Sequence, residues 1–124
     1  MPGTLTISNI SDGTNTGNAT DMIRGSAKAW VNCNPTAATV RASYNVSSVT
    51  RASTGDITVN FTTALADANY AVACGAEANT GSPDDINIAA VRNGGRTSNS
   101  VRLKIGIGGS GLRDVDGAFI AIFR

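Results

Sequence analysis

The chain contains no histidine. That absence removes Ser-His-Asp and Cys-His nucleophile systems, histidine metal sites and the usual near-neutral proton shuttle. Cysteine is scarce as well. Cys33 and Cys74 are too few for a disulfide scaffold, and without histidine they cannot complete the common zinc ligand sets. No cofactor is expected. Charge of one sign is also lacking: ten basic and nine acidic residues leave a net +1, with no electrostatic footprint for nucleic acid or an anionic membrane. No window approaches a membrane span, and the start, Met-Pro-Gly-Thr-Leu-Thr, lacks the basic residues and apolar run of a signal peptide. The expectation is a protein made and kept soluble, in which the Asn-x-Ser/Thr matches at Asn9, Asn18, Asn45 and Asn60 carry no weight. Aromatics are 5% of the chain, so the core must be built from Val, Ile, Leu and Ala, and a core so thin tends to lean on partners.

What is present is period-two alternation in many short windows, with no sustained helical spacing. Leu5 and Ile7 alternate with threonine and serine, Ala29, Val31 and Cys33 with Lys28, Trp30 and Asn32, and Ile57, Val59 and Phe61 with Asp56, Thr58 and Asn60. Between Val40 and Val49 the phase slips, which predicts a bent strand, and Ser53-Thr-Gly-Asp56 reads as a turn. Tyr70, Val72 and Cys74 share one strand face, Ile86, Ile88 and Ala90 another, and Val101, Leu103, Ile105 and Ile107 a third. Ser11 to Thr20, Ala78 to Asp85, Asn93 to Asn99 and Gly108 to Gly117 have the composition of loops. The pattern predicts one all-β domain over 1–124, an antiparallel β-sandwich or jelly-roll-like fold of eight or nine strands with helix content close to nil. Residues 1–24 form its N-terminal strand and loop, a segment available for assembly. Phe61 and Tyr70 are expected in the core.

The last strand, Gly117 to Arg124, breaks the rule. Phe119, Ala121 and Phe123 lie on one face and Ala118, Ile120 and Ile122 on the other, so both faces are apolar. A second cover is needed, from a loop of the same chain or from a subunit neighbour. Trp30, out of phase with Ala29 and Val31, reaches a sheet edge, a subunit contact or a sugar. The candidate interface residues are therefore Phe119, Ile120, Ile122, Phe123 and Trp30.

Chemistry is sparse. Asp84 with Asp85, Asp114 with Asp116, and Glu77 are the carboxylates available to a hydrolase, but the aspartates sit where turns favour them. Calcium has weak candidates in Asp12 and Asp21, beside Asn15 and Asn18, and in Asp114 and Asp116. The first loop does not follow the EF-hand order of ligands. Gly106-Ile-Gly-Gly-Ser-Gly111 leads into no helix and reads as a hairpin connection. Arg92, Arg96, Arg102 and Lys104 read as solvent-face charges that discourage edge pairing, or as a small positive patch. Cys33 and Cys74 fall in phase with core positions. Reduced buried thiols are the default reading, and a Cys33–Cys74 disulfide is the alternative.

Gly25-Ser-Ala-Lys-Ala-Trp-Val-Asn32, Arg41-Ala-Ser-Tyr-Asn-Val-Ser-Ser-Val-Thr50, Thr54-Gly-Asp-Ile-Thr-Val-Asn-Phe-Thr-Thr-Ala64 and Asp67-Ala-Asn-Tyr-Ala-Val72 follow one another in an order and spacing that resembles a β-rich distal domain of tailed-bacteriophage tail fibre proteins. The resemblance covers about residues 25 to 75. Cys33 departs from that pattern, which prefers an aromatic residue after Val-Asn. The resemblance implies a homotrimeric β-sandwich exposed on the virion, in contact with other virion proteins and with a host surface glycan or receptor. The other expectation is a capsid decoration or head-fibre protein. It rests on a chain that starts at Met1, ends at Arg124 and carries no shaft segment.

Overall fold

The structure, a computed structural model, describes residues 2–78 and 86–124. Asp84, Asp85 and most of the expected loop from Ala78 to Asp85 lie outside the described residues.

Among the described residues eleven strands and one short helix follow one another as β1 (Asn9–Ser11), β2 (Thr16–Asn18), α1 (Ala19–Gly25), β3 (Ala27–Asn34), β4 (Thr39–Tyr44), β5 (Val46–Ser53), β6 (Asp56–Phe61), β7 (Ala71–Ala76), β8 (Ile88–Arg96), β9 (Ser100–Ile107), β10 (Gly111–Leu112) and β11 (Ala118–Phe123). The fold is all-β and every pairing is antiparallel. Two sheets pack face to face. One has the order β4-β3-β11-β7; in the other β5, β6 and β9 run in order, β8 flanks β9 on its far side, and β10 continues beside β9 past the end of β6. The hairpin of β1 and β2 stands apart from both.

Alternation explains the core. Ala29, Val31 and Cys33 of β3 and Ala118, Ile120 and Ile122 of β11 point inward from the first sheet. They meet Val49, Ile57, Val59, Phe61, Val101, Leu103 and Ile105 from the second. Phe61 and Tyr70 are both buried and pack edge to face, with centroids 6.0 Å apart. The Tyr70 hydroxyl lies 2.9 Å from the Ser100 carbonyl oxygen and 3.2 Å from that of Thr97, so its polar end is satisfied where the ring is buried. Burial pushes its pKa above the ordinary tyrosine value.

The phase slip between Val40 and Val49 marks two strands in different sheets. Asn45 sits between them with φ of 53°. Its amide nitrogen donates to the carbonyls of Lys28 (3.1 Å) and Thr63 (3.2 Å), and its side-chain oxygen accepts from the Thr63 N–H at 2.8 Å. Asparagine tolerates the left-handed region better than most residues, and here its side chain also ties the corner to two neighbouring segments. At the β5–β6 turn Gly55 has φ of 61°, and a Cβ there would collide with the Ile105 carbonyl.

Several expectations are corrected. Leu5 and Ile7 belong to no strand, because the five alternating residues Thr4 to Ser8 have no pairing partner and cannot form a ladder. Ile86 lies before β8, not within it. The segment Ser11 to Thr20 contains β2 and the start of α1. That helix is capped by the Asn18 side chain, which accepts from the Thr20 N–H at 2.8 Å. Strand β8 runs on through Asn93, Gly94 and Gly95 to Arg96 by means of a bulge: four residues, Arg92 to Gly95, stand opposite Arg102 alone.

Candidate assembly surface

The outer faces of the two sheets differ in kind. On the five-stranded sheet Asp56, Thr58, Asn60, Ser100, Arg102 and Lys104 alternate outward, and Asn60 donates to the hydroxyls of Ser48 and Thr50, each at 3.0 Å. Asp56 is 5% exposed yet well satisfied: Arg102 grips both oxygens, at 2.7 and 2.8 Å, and Arg92 reaches one at 3.3 Å. The bonded Arg102 guanidinium, helped by Arg92 and Lys104, holds its carboxyl below the usual carboxylate range. Apart from Ile88 and Leu112 at one end, this face is built for water.

The four-stranded sheet turns an apolar outer face to solvent. Across its strands the register aligns Tyr44, Trp30, Ala121 and Ala73 in one row and Ala42, Asn32, Phe119 and Gly75 in the next. Trp30 is 40% exposed, Tyr44 59% and Phe119 44%. Phe123 is half-buried in the same phase as Phe119. The chain has one Trp, two Tyr and three Phe, and four of these six aromatics stand on this one outer face. Small residues make its floor. Trp30, Asn32, Ala73, Gly75, Phe119 and Ala121 line a groove of about 420 Å³, in which the Phe119 ring lies over Gly75. The Asn32 side-chain oxygen is shielded from water and has no hydrogen-bond partner. The two central rows carry no charged side chain. Charges stand beyond them, at Lys28, Arg41, Glu77 and the Arg124–Asp67 pair.

The interface residues read from the sequence therefore separate. Trp30, Phe119 and Phe123 share the outer face, whereas Ile120 and Ile122 point between the sheets at the centre of the core. These two isoleucines are corrected from interface to core, because β11 is a central strand and its two faces serve different purposes. Tyr44, Asn32, Ala73 and Gly75 were not singled out in the sequence. The available signal was the small-residue run Ala71 to Ala76, which leaves room for a large neighbour.

The remaining candidates resolve into structural roles. Asp114 receives Arg51 at 3.1 and 2.6 Å and the Gly55 N–H at 3.0 Å, pinning the β5–β6 turn to the segment before β11. The Arg51 bond keeps its carboxyl below the ordinary value. The Asp116 carbonyl accepts from Arg41 at 2.6 Å. Asp12 accepts from the N–H groups of Thr14 (2.9 Å) and Asn15 (2.7 Å), while Asp21 occupies the first turn of α1. Among the described residues no group of three or more His, Cys, Asp or Glu side chains converges as a metal site. The Cys33–Cys74 disulfide is corrected. Strand β11 runs between β3 and β7, which puts the two cysteines two inter-strand spacings apart, about 10 Å and beyond the reach of a bridge. Burial raises the Cys33 thiol to about 11 and moves that of Cys74 in the same direction.

The fold and surface thus define an antiparallel two-sheet β protein with one solvated and one aromatic outer face. Comparison with family models, with curated proteins and with solved structures returned no match.

Proposed function

We propose that this chain is a non-enzymatic structural protein of a phage virion, a tail-fibre or tail-tip type β domain that self-associates as a homotrimer and presents loops to a host-surface glycan or receptor. One observation carries the self-association: four of six aromatics stand on the outer face of the four-stranded sheet, whose two central rows carry no charge and where Trp30, Tyr44 and Phe119 stay 40%, 59% and 44% exposed. The phage assignment is supported by the ordered resemblance over residues 25 to 75. The non-catalytic reading is supported by the missing histidine and by the engagement of Asp56 and Asp114 with arginines.

Light scattering at low micromolar concentration reports three chains if the reading holds, and one chain refutes it. Antibody labelling of intact virions tests the location. Label at the tail is the expected result, while label on the head replaces the tail-fibre assignment with capsid decoration. Protein that neither binds susceptible cells nor blocks phage adsorption removes the adhesion role.

A further inference from the structure

The bulge in β8 holds a reactive dipeptide. Asn93 is the one asparagine in the chain that is followed by glycine. In an Asn-Gly pair the backbone nitrogen attacks the side-chain amide most readily, because the second residue has no side chain to hinder the approach. A folded protein permits that attack only where the glycine backbone can move, the asparagine side chain is not tied down, and water can enter.

The bulge supplies all three conditions. Val91 pairs with Leu103 and Arg96 with Val101, so Asn93 and Gly94 have no Cα partner on β9. The two glycines have different duties. A Cβ on Gly95 would meet the Arg102 and Arg92 carbonyl oxygens at 2.7 and 2.8 Å, so that residue must sit close against its neighbours. Gly94 turns with φ of 70°, and a Cβ there would meet nothing within 4 Å, so it stands in open space. Asn93 is exposed, and among the described residues its side chain has no hydrogen-bond partner. By contrast the side-chain amides of Asn15, Asn45, Asn60 and Asn87 all donate hydrogen bonds. Arg92 and Arg96 line the same recess of about 440 Å³ as Asn93 and Gly94. Guanidinium charges beside the Gly94 amide favour its deprotonated, nucleophilic form and the anion that forms on attack.

We infer that Asn93 is a site of spontaneous deamidation, at which the folded protein changes its own charge and backbone without an enzyme. The Gly94 nitrogen bonds to Cγ of Asn93, gives up its proton and expels the side-chain amide nitrogen as ammonia, closing a cyclic imide. Water then opens the ring. Cleavage between the nitrogen and Cγ restores the ordinary backbone and leaves aspartate. Cleavage between the nitrogen and the Asn93 backbone carbonyl carbon leaves isoaspartate, in which the chain runs through Cγ and the former backbone carbonyl becomes the free carboxylate. Water is consumed and ammonia released, and nothing is oxidised or reduced. Either product places a carboxylate between Arg92 and Arg96 and cancels the chain's net charge of +1. Isoaspartate lengthens the backbone where the bulge already absorbs extra residues, so the pairing of β8 with β9 survives on both sides.

The test is to incubate the full-length protein in mildly alkaline buffer, digest it with pepsin at low pH so that no further ring closure occurs, and map the peptides by mass spectrometry. Conversion at Asn93 ahead of every other asparagine is the expected result, with both products present. An isoaspartate-specific methyltransferase with a labelled methyl donor scores the second product independently. The rate in the folded protein should lie within about tenfold of the rate in denaturant, since little local structure has to open. Asn93→Gln should abolish conversion at this position, because glutamine has to close a larger ring, and circular dichroism should show an unchanged fold. Protection of Asn93 by more than about a hundredfold in the folded protein overturns the inference. Earlier conversion of another asparagine does so too, as does an Asn93→Gln protein that gains the same mass at the parental rate.

Discussion

Asn45 offers the sharpest test of how the aromatic face is built, because it turns the chain from Tyr44 on that face to Val46 in the other sheet. Replacing it with alanine removes three side-chain hydrogen bonds and puts a Cβ-bearing residue without compensating bonds at φ of 53°. The left-handed conformation costs alanine about 1 kcal/mol. Only the bond to Lys28 is partly buried, so the three bonds together contribute about 2 kcal/mol. Asn45→Ala should therefore destabilise by about 3 kcal/mol, a fall in melting temperature of about 12 °C for a chain of this size. Asn45→Gly loses the same bonds but adopts the corner freely, so it should cost about 2 kcal/mol and lie between the parent and the alanine variant. Denaturant unfolding at one fixed protein concentration measures both, which keeps any linkage to association constant. A glycine variant less stable than the alanine variant refutes the backbone argument. An alanine variant within 0.5 kcal/mol of the parent refutes the corner as a structural clamp.

Ile120→Lys places an ammonium between the sheets and should cost more than about 4 kcal/mol, leaving an unfolded chain by circular dichroism, whereas Phe119→Lys, one residue away on the outer face, should stay folded and lose only association. Asp56 has a lowered folded pKa, so its contribution is fully present above its unfolded value of about 3.9 and is lost as pH falls below that through the folded value. Melting temperature should be flat from about pH 5 to 8 and drop below about pH 4, and Asp56→Asn should be less stable at pH 7 with a shallower acid decline. Two thiols should titrate in denaturant without reductant, and Cys33 should resist alkylation in the native state at pH 8, where its thiol is buried and protonated. Zero thiols in denaturant would contradict the placement of β11 between the cysteines.

Much of the fold is legible in the residues. In β3, β6, β9 and β11 period-two alternation assigns each side chain to a face, and the structure places Val31, Ile57, Leu103 and Ile120 inside on that phase. The failures have local causes. Leu5 and Ile7 alternate as strand residues do, but a strand exists only when another strand accepts its hydrogen bonds, and no alternation reports that partner. The glycine pair in β8 reads as a break, yet a bulge absorbs it because β9 continues to pair on both sides. The slip before Val49 is visible as a slip, while its meaning, a passage between sheets at Asn45, depends on contacts with Lys28 and Thr63 that are remote in sequence.

The candidate surface divides in the same way. The absence of histidine chemistry, the all-β class and the two-faced apolar character of the last strand are legible in the residues, because each follows from residue identity and local period. Which face of that strand is core follows from how the strands pack in three dimensions. That packing set β11 between β3 and β7, which buried Ile120 and Ile122, parted Cys33 from Cys74, and put Phe119 on the same outer face as Trp30 and Tyr44, one row away from them. Register between strands is a long-range property, fixed by the whole set of inward side chains packing at once, and so a surface assembled across four strands appears only when the sheet does.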